Sequence, residues 1–424
     1  MLKYSLKYSL RSLLRELVRG LPARRLVYPA LRASERSAEA LAAAVARRCR
    51  LLGLAVPPAV SDAGLMSKTD VRTAPQRYLR PRAWGSLVRN RIRTSGSSGQ
   101  PLTLVQDLGC VIREEAFVHR QLCWMGYQPG QRRAWLRGDV VCDAQPADGR
   151  YWCYDWPGRM LMMSSYHLSA ATLGAYCAEL ERYDPAVLHA YPSSVAALAA
   201  WLLAEGRVYR GKALLGIMTS SETLDSAVRA QVEAAFGVRV YDWYGQAERV
   251  AAIGTCEHGS YHLLTDYSQV ELLPAGEDCY ELVGTSLNNR AMRLERYRTG
   301  DLVRLAAAPC ACGRVFPALH SVVGRKEQVL QLADGRLIGR LDHVFKGAER
   351  VLEGQIVYHG SAGFELRVVP AAGYGAADAA ALVAAFLERV PAVPVRVEAV
   401  AAIARGANGK FEFICVAGDA AGAP

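Results

Sequence analysis

Residues 187–241 carry the pattern that decides the fold: Val187-Leu188-His189-Ala190, then Ser194–Glu205, then Ala213–Thr219, then Arg239–Tyr241. The first, third and fourth stretches read as short buried strands, being brief apolar runs with polar residues at their ends. The second reads as a helix. The alternation extends back to about residue 110 and includes a further helix over Ala170–Tyr183. Strands alternating with helices predict an α/β fold with layered, mainly parallel sheets.

Downstream the pattern changes. Between about 255 and 320 come short strands with turns, among them Gln269–Leu273 and Tyr280–Thr285. After Gly324-Arg325 the composition shifts again. Phe364–Val369 and Val395–Val400 read as strands around a helix over Ala376–Arg389, which predicts a small α+β domain. At roughly 150 residues per domain, 424 residues suit two or three units. The expected division is a basic helical segment over 1–75, a large domain over 76–324 and a small C-terminal domain over 325–424.

The net charge of +11 has a definite location. Residues 1–50 hold twelve Lys/Arg and three acids, so nine of the eleven charges sit there and the globular body is nearly neutral. This argues against nucleic-acid binding by the body. Within that segment Lys3, Lys7, Arg11, Arg15 and Arg19 recur every four residues, beside Leu2, Leu6, Leu10, Leu14 and Leu17. Side chains four apart share a helix face, so this is an amphipathic helix with a basic stripe. Two readings follow: an interfacial helix over residues 1–25 on an anionic membrane or acidic partner, or a cap helix with its basic face in water. Residues 31–52 read as one Ala-rich helix, and 78–90 as basic and irregular.

No stretch offers the ~18 consecutive apolar residues of a membrane span, and the charges of the first turns do not precede an apolar block as in a secretory signal. The expected location is cytoplasmic, with peripheral contact at the inner membrane surface as the alternative. Eleven scattered cysteines do not make a disulfide scaffold. Four residues do show metal spacing: Cys256-x5-His262 and Cys310-x-Cys312-Gly313. Three thiolates and one imidazole make a closed tetrahedral zinc set of the structural kind, with His258 as a substitute for His262. Cys49, Cys110, Cys123, Cys142, Cys153, Cys177, Cys279 and Cys415 lack such spacing and read as core.

Five further motifs carry chemistry only in combination. Thr94-Ser95-Gly96-Ser97-Ser98-Gly99 precedes the strand-like Leu102–Gln106, and its hydroxyls and backbone N–H groups can wrap an anion. Tyr241-Asp242-Trp243-Tyr244-Gly245-Gln246-Ala247-Glu248 ends a strand in aromatics and an acid. There Tyr244 can stack on a planar ring and Glu248 can hold Mg²⁺. In Arg296-Tyr297-Arg298-Thr299-Gly300-Asp301 the Asp can accept from a ribose diol. Gly324-Arg325-Lys326-Glu327 and Asn408-Gly409-Lys410 complete the series. Taken singly, each is equally an ordinary loop, cap or turn.

In this order, TSGSSGQP, YGQAE, RYRTGD, GRKE and NGK resemble the adenylate-forming superfamily of acyl-CoA synthetases, adenylation domains and luciferase. Residues 75–424 are most similar to the phenylacetate–CoA ligase family, in its capsular-polysaccharide-cluster branch, with Leu161–His167, His189–Ser194 and Thr219–Glu222 as supporting phrases. The resemblance implies an ATP- and Mg²⁺-dependent ligase that activates a carboxylic acid as its acyl-adenylate and passes the acyl group to CoA. It implies that Thr94, Ser95, Gly96, Ser97, Ser98 and Gly99 grip the phosphates, and that Ser221, Glu222, Asp242, Trp243, Tyr244 and Gly245 line the adenine pocket. Glu248 would bind Mg²⁺ and Asp301 the ribose, with Arg325 beside it. Glu327 would be the hinge acid and Lys410 the lysine bridging carboxylate and α-phosphate. Related proteins carry zinc at a similar place.

The acyl pocket would be walled by Ser164–His167, His189–Pro192 and Thr219–Ser220. Gln100, Gln328 and Asp334–Ile338 depart from the family pattern, the last bearing on thioester formation more than on adenylation. The alternatives are an adenylating enzyme without a CoA step, serving polysaccharide or secondary-metabolite decoration, and an inactive zinc-stabilised nucleotide-binding interaction protein.

Overall fold

The computed structural model describes residues 2–54, 64–81, 86–93, 102–276, 278–323, 330–332, 337–338, 341–345, 348, 350–371, 373–403 and 413–417. Thr94–Gly99, Gln100, Arg325, Glu327, Gln328 and Lys410 therefore lie outside the described residues, as does most of Asp334–Ile338.

The chain begins with helices α1 (Leu2–Arg15), α2 (Tyr28–Ser34) and α3 (Ala38–Leu52), with π-type turns between the first two. The single helix expected over 31–52 is two helices. Ser37 is extended and its hydroxyl accepts from the Ala40 amide at 3.2 Å, so it stops one helix and caps the next. Then come α4 (Lys68–Thr73) and an antiparallel pair, β1 (Arg89–Arg93) and β2 (Thr103–Asp107), flanking residues 94–101. Helix α5 (Leu108–Trp124) starts at an Asp107 cap.

The body follows as β3 (Arg133–Arg137), β4 (Trp152–Asp155), β5 (Met160–Ser164), α6 (Leu173–Tyr183), β6 (Val187–Ala190), α7 (Pro192–Ala204), β7 (Gly216–Ser220), α8 (Ser226–Phe236) and β8 (Val240–Gly245). After it come β9 (Ala252–Thr255), β10 (Tyr261–Leu263), β11 (Ser268–Gly276), β12 (Cys279–Ser286), β13 (Tyr297–Leu305) and β14 (Ala318–Val322). These strands make one twelve-stranded sheet ordered β11-β12-β13-β14-β10-β9-β8-β7-β6-β3-β5-β4. The expected parallel character holds over the five-strand run β5-β3-β6-β7-β8. All other neighbours are antiparallel, because short turns rather than helices connect that half.

Alternate residues of the parallel strands serve two cores. Leu136, Leu161, Leu188, Ile217 and Val240 pack against α6, α7 and α8 through Tyr176, Leu198 and Val232. Val187, Met218, Tyr241 and Trp243 point the other way, onto Phe117, Leu122 and Trp124 of α5. Burial on both faces explains why these strands read as unbroken apolar runs. In the antiparallel half, Gly284 passes so close to Val250 that a Cβ there would lie 1.9 Å from its carbonyl oxygen, so no larger residue fits.

Helix α1 closes the exposed edge of the sheet. The hydroxyls of Ser5 and Ser9 accept from the amides of Tyr154 and Trp156, in and just after the edge strand β4, at 3.2 and 3.3 Å, and Tyr8 donates to the Val140 carbonyl at 3.1 Å. The helix caps the body through serine and tyrosine. The face it turns to water is its leucines, not a purely basic surface, which corrects one expectation.

The chain ends with β15 (Leu330–Gln331), β16 (Leu337–Ile338), β17 (Val351–Tyr358), β18 (Phe364–Pro370), α9 (Ala376–Leu387), β19 (Val395–Ala399) and β20 (Ile414–Val416). The last four strands form a separate sheet, β19-β18-β17-β20, with its own core of Ile356, Phe364, Leu366, Leu382 and Phe386. This unit touches the body where the Arg389 guanidinium lies 5.8 Å over the Tyr166 ring.

Glu365 in β18 is buried, which pushes its carboxyl up, but hydrogen bonds from Arg396 and Arg367 more than offset this and hold it at about 2 against a usual 4.5. The folded value lies below the unfolded one. Its stabilisation is therefore complete above 4.5 and is lost as pH falls from 4.5 toward 2. Urea melts across that window should show the loss, and Glu365→Gln should flatten it; an identical pH profile in the variant would refute the assignment.

Candidate active site and metal centre

In a doubly wound sheet, ligands bind beyond the carboxyl ends of the strands, where the strand order reverses. Here the reversal lies between β3 and β6, since β5 lies on one side of β3 and β6, β7 and β8 follow on the other. Arg137 ends β3 at that point. Its Nη2 donates to Ser221 Oγ at 2.6 Å and its Nη1 to His189 Nε2 at 3.3 Å, while Ser220 Oγ lies 3.1 Å from the same nitrogen. A guanidinium donating to Nε2 makes that nitrogen an acceptor and leaves the ring proton on Nδ1. Burial, aided by Arg137, holds the His189 pKa well below 6.5, so the ring is neutral. The Arg137 guanidinium also faces the rings of Trp135 and Tyr191 at 4.9 and 5.1 Å.

Arg137 was not among the residues singled out in the sequence. A weak signal existed: an arginine and a glycine directly after the apolar strand core Ala134-Trp135-Leu136. Ser221 has φ of 73°, a conformation costly for a side chain, which turns its hydroxyl toward Arg137. Glu222 accepts from the amide and hydroxyl of Ser193 at 2.9 and 3.0 Å, capping the N-terminus of α7. His167 is engaged on both nitrogens, by Ser164 Oγ at 2.7 Å and the Ala144 carbonyl at 3.0 Å, and so serves the fold.

The second half of the site joins β8 to β13. Tyr244 OH donates to Asp301 Oδ2 at 2.8 Å, and the Gln246 amide nitrogen reaches both groups. Gln246 Oε1 is buried without a hydrogen-bond partner among the described residues. It is an acceptor that a ligand hydroxyl or amino group could fill. Glu248 accepts from Tyr297 OH at 3.3 Å, and burial pushes its carboxyl above 4.5. Tyr244, Gln246 and Asp301, separated by up to 57 residues, thus share one polar cluster, and Glu248, bonded to Tyr297 of the same strand β13, feels the Asp301 charge. Asp242 and Trp243 do not open onto it. Asp242 is buried and accepts from Thr219 and Tyr261 at 2.7 and 3.0 Å. Trp243 lies in the core beside Trp124, and Gly245 ends the strand.

The four expected metal ligands converge. One donor atom each from Cys256, His262, Cys310 and Cys312 lies within 4.8 Å of every other. Cys256 Sγ is 3.6 Å from Cys310 Sγ, and Cys312 Sγ is 3.3 Å from His262 Nε2. A tetrahedron with Zn–S near 2.3 Å and Zn–N near 2.0 Å has edges of roughly 3.5–3.8 Å, close to these separations. His262 Nδ1 is 3.3 Å from the Phe316 carbonyl, which fixes the ring with Nε2 toward the sulfurs. His258 contributes its amide to Cys256 Sγ at 3.3 Å, so of the two histidines the structure selects His262 for the cluster. Of the other cysteines, Cys49, Cys110, Cys142, Cys153 and Cys177 are buried as expected, whereas Cys123, Cys279 and Cys415 are part-exposed.

No protein-family model matches the chain. Its overall fold is that of adenylate-forming ligases. A solved 2-hydroxyisobutyryl-CoA ligase, in complex with 2-HIB-AMP and CoA in the thioesterification state, aligns over 91% of this chain and 92% of its own at a TM-score of 0.52 and 18% identity. Among curated proteins, CapK of Staphylococcus aureus is 22% identical over 268 residues, 63% of this chain and 59% of that protein. The phenylacetate–coenzyme A ligase of Thermus thermophilus is 29% identical over 162 residues, 36% of each chain. The chain thus spans less than two thirds of the length of either relative. The chain is thus similar in sequence to CapK and to a phenylacetate–coenzyme A ligase, and in fold to a solved CoA ligase.

Purified protein should carry about one zinc per chain by elemental analysis. Cys312→Ser should lose it and melt lower by roughly 2–3 °C or more, the shift for about 2–3 kcal/mol at this size. Metal-free protein with an unchanged melting curve would remove zinc from the account.

Proposed function

We propose that the protein is an ATP- and Mg²⁺-dependent acid ligase that forms an acyl-adenylate and transfers the acyl group to CoA. The observation that carries this reading is the polar cluster of Tyr244, Gln246 and Asp301 at the end of β8, the strand paired with β7, whose last residue Ser220 joins Arg137, His189 and Ser221 at the switch point. In this reading Tyr244 presents a ring to the adenine and Asp301 accepts from the ribose hydroxyls. Ser221 and Glu222 border the same pocket, while Asp242, Trp243 and Gly245 support it from the strand. Thr94–Gly99 hold the phosphates, Arg325 stands near the ribose and Glu327 is the hinge between the units over 76–324 and 325–424. Residues 1–75 complete the division as a helical segment.

The acid's carboxylate oxygen attacks the α-phosphorus; a P–O bond forms, and pyrophosphate leaves with the electrons of the broken bond. Negative charge grows on the phosphoryl oxygens, and in this reading Lys410 would offset it. Mg²⁺, held by Glu248, would neutralise phosphate charge. The CoA thiol then attacks the acyl carbon, loses its proton and expels AMP. Arg137 brings a guanidinium to the switch point, and an arginine fork suits a carboxylate. It orients the acid, with the neutral His189 fixing its plane. Zinc, bound by Cys256, His262, Cys310 and Cys312, would hold the turns of the antiparallel half and take no part in the chemistry. This reading sets the enzyme in the cytoplasm, with residues 1–25 available for peripheral contact with the inner membrane surface.

ATP–pyrophosphate exchange across aryl, fatty, hydroxy, amino and sugar acids should single out one class. It should fall to background in Lys410→Ala, and added CoA should convert the adenylate to a thioester. Exchange that persists in Lys410→Ala would cancel that residue's role; exchange with no acid would cancel the ligase reading. With the active acid, Arg137→Met should raise its KM by about 10–100-fold, the effect of losing a charge-assisted hydrogen bond. The KM for ATP should stay within about threefold, below the ~1 kcal/mol of one neutral hydrogen bond. An ATP KM that rises equally would assign Arg137 to the nucleotide instead.

A further inference from the structure

We infer that the outward face of α1 docks on an anionic lipid surface. Helix α1 meets the body through Ser5, Tyr8 and Ser9. At about 100° per residue, Leu2, Leu6, Leu10 and Leu13 fall on the neighbouring side, centred about 100° round the helix from those three, and Leu17 follows in the π-type turn Glu16–Gly20. Leu2, Leu6, Leu10, Leu13 and Leu17 are 67%, 57%, 62%, 49% and 64% exposed, and Leu14 and Val18 beside them are exposed as well. A helix that merely capped the body would bury its leucines and turn its serines to water. This one does the reverse, and the polar pairing with the edge strand fixes that orientation.

Lys3, Lys7 and Arg11 run along one margin of the stripe. Lys3 reaches Asp143 at 2.7 Å, while Lys7 and Arg11 lie over the Tyr4 and Tyr8 rings and remain exposed. An apolar stripe with a basic margin, on a helix held parallel to the body surface, fits the boundary between lipid headgroups and acyl chains. No described helix is long and apolar enough to cross a membrane, so the contact lies on the surface. Charge complementarity selects lipid over a second copy of this chain. The exposed charges beside the stripe, Lys7 and Arg11, are both basic, so two such faces would repel, whereas anionic headgroups attract them.

The test uses the full chain and no nucleotide or acid, so its outcome is independent of the ligase reading. Co-sedimentation with phosphatidylcholine vesicles should require added phosphatidylglycerol and weaken with salt. Leu10→Ser combined with Leu13→Ser and Leu17→Ser should weaken binding at least about tenfold without lowering the melting temperature, because all three are exposed. Lys7→Gln should weaken it about fivefold; should the triple variant fold poorly, this variant and the salt series decide. Three results would overturn the proposal: no sedimentation with anionic vesicles, equal binding by the leucine variant, or a chain indifferent to vesicles that light scattering shows to pass from dimer to monomer on leucine substitution. The last would assign the face to a second copy.

Discussion

The buried pair Arg120–Asp266 holds three parts of the molecule in register. Its atoms approach to 2.6 and 3.1 Å, and the side chains are 1% and 2% exposed. The guanidinium is enclosed by the rings of Phe117, Trp124 and Phe316, and Asp266 also accepts from Ser34 Oγ at 2.7 Å. Helix α5, the end of α2 and the turn into β11 therefore meet at one charge pair. Loss of either member would strand a buried charge, at a cost of about 3–5 kcal/mol, against a net stability of roughly 5–15 kcal/mol. Next to it Tyr267 donates to Glu114 at 2.7 Å, and Glu114 pairs with Arg249 at 2.5 Å. Arg249 follows Glu248 and has φ of 59°. The position of the proposed magnesium ligand is thus set by an ion pair on α5.

That linkage explains why the site forms between unlike halves of one sheet. The parallel half supplies a switch point and carboxyl-end loops, and strand β13 of the antiparallel half supplies Tyr297 and Asp301. Their relative placement would be free to drift if the sheet alone joined them, because open sheets twist. Helix α5 crosses one face, packs on Val187 and Met218 of the parallel half, and ties to the antiparallel half through Gln121, which donates to the Thr255 carbonyl at 2.8 Å, and through Glu114. The Cys256–His262–Cys310–Cys312 knuckle lies at the end of that helix, where Arg314 faces the Trp124 ring at 4.2 Å. The expected zinc would therefore brace the scaffold that positions Glu248 and Asp301.

Much of this was legible in the sequence, for definite reasons. Val187–Ala190 falls on β6 residue for residue because a strand buried on both faces must be a continuous apolar run. The metal set was legible because Cys-x-Cys-Gly leaves both sulfurs few directions to point. The helix break at Ser37 was not, since its neighbours are strong helix formers and only the local cap reveals it. Arg137 was missed because arginine is mostly a surface residue; its role depends on strand order, which periodicity does not encode. Periodicity gave α1 two faces without saying which one turns inward. That choice is made by Ser5, Tyr8 and Ser9, whose edge-strand partners lie more than 130 residues away.

The basic N-terminal charge, too, changes meaning once its partners are known. Lys3 meets Asp143, Arg15 meets Glu115 and Arg24 meets Glu16. Arg36 donates to the Cys312 carbonyl, beside the metal cluster, at 2.6 Å, and Arg48 donates to the Leu287 carbonyl at 2.6 and 2.9 Å. Five of the twelve cations thus fasten the helical segment to the body, or within itself, rather than creating a field at the surface. A charge count overstates that field accordingly. Long-range attraction decays within about 10 Å at ordinary salt, so the groups that matter for an approaching surface are those on the outer margin, such as Lys7 and Arg11. These flank the leucine stripe. The same helix that seals the sheet edge with its serines therefore presents its remaining charge and its apolar side in one direction, as a surface contact requires and a simple edge cap does not.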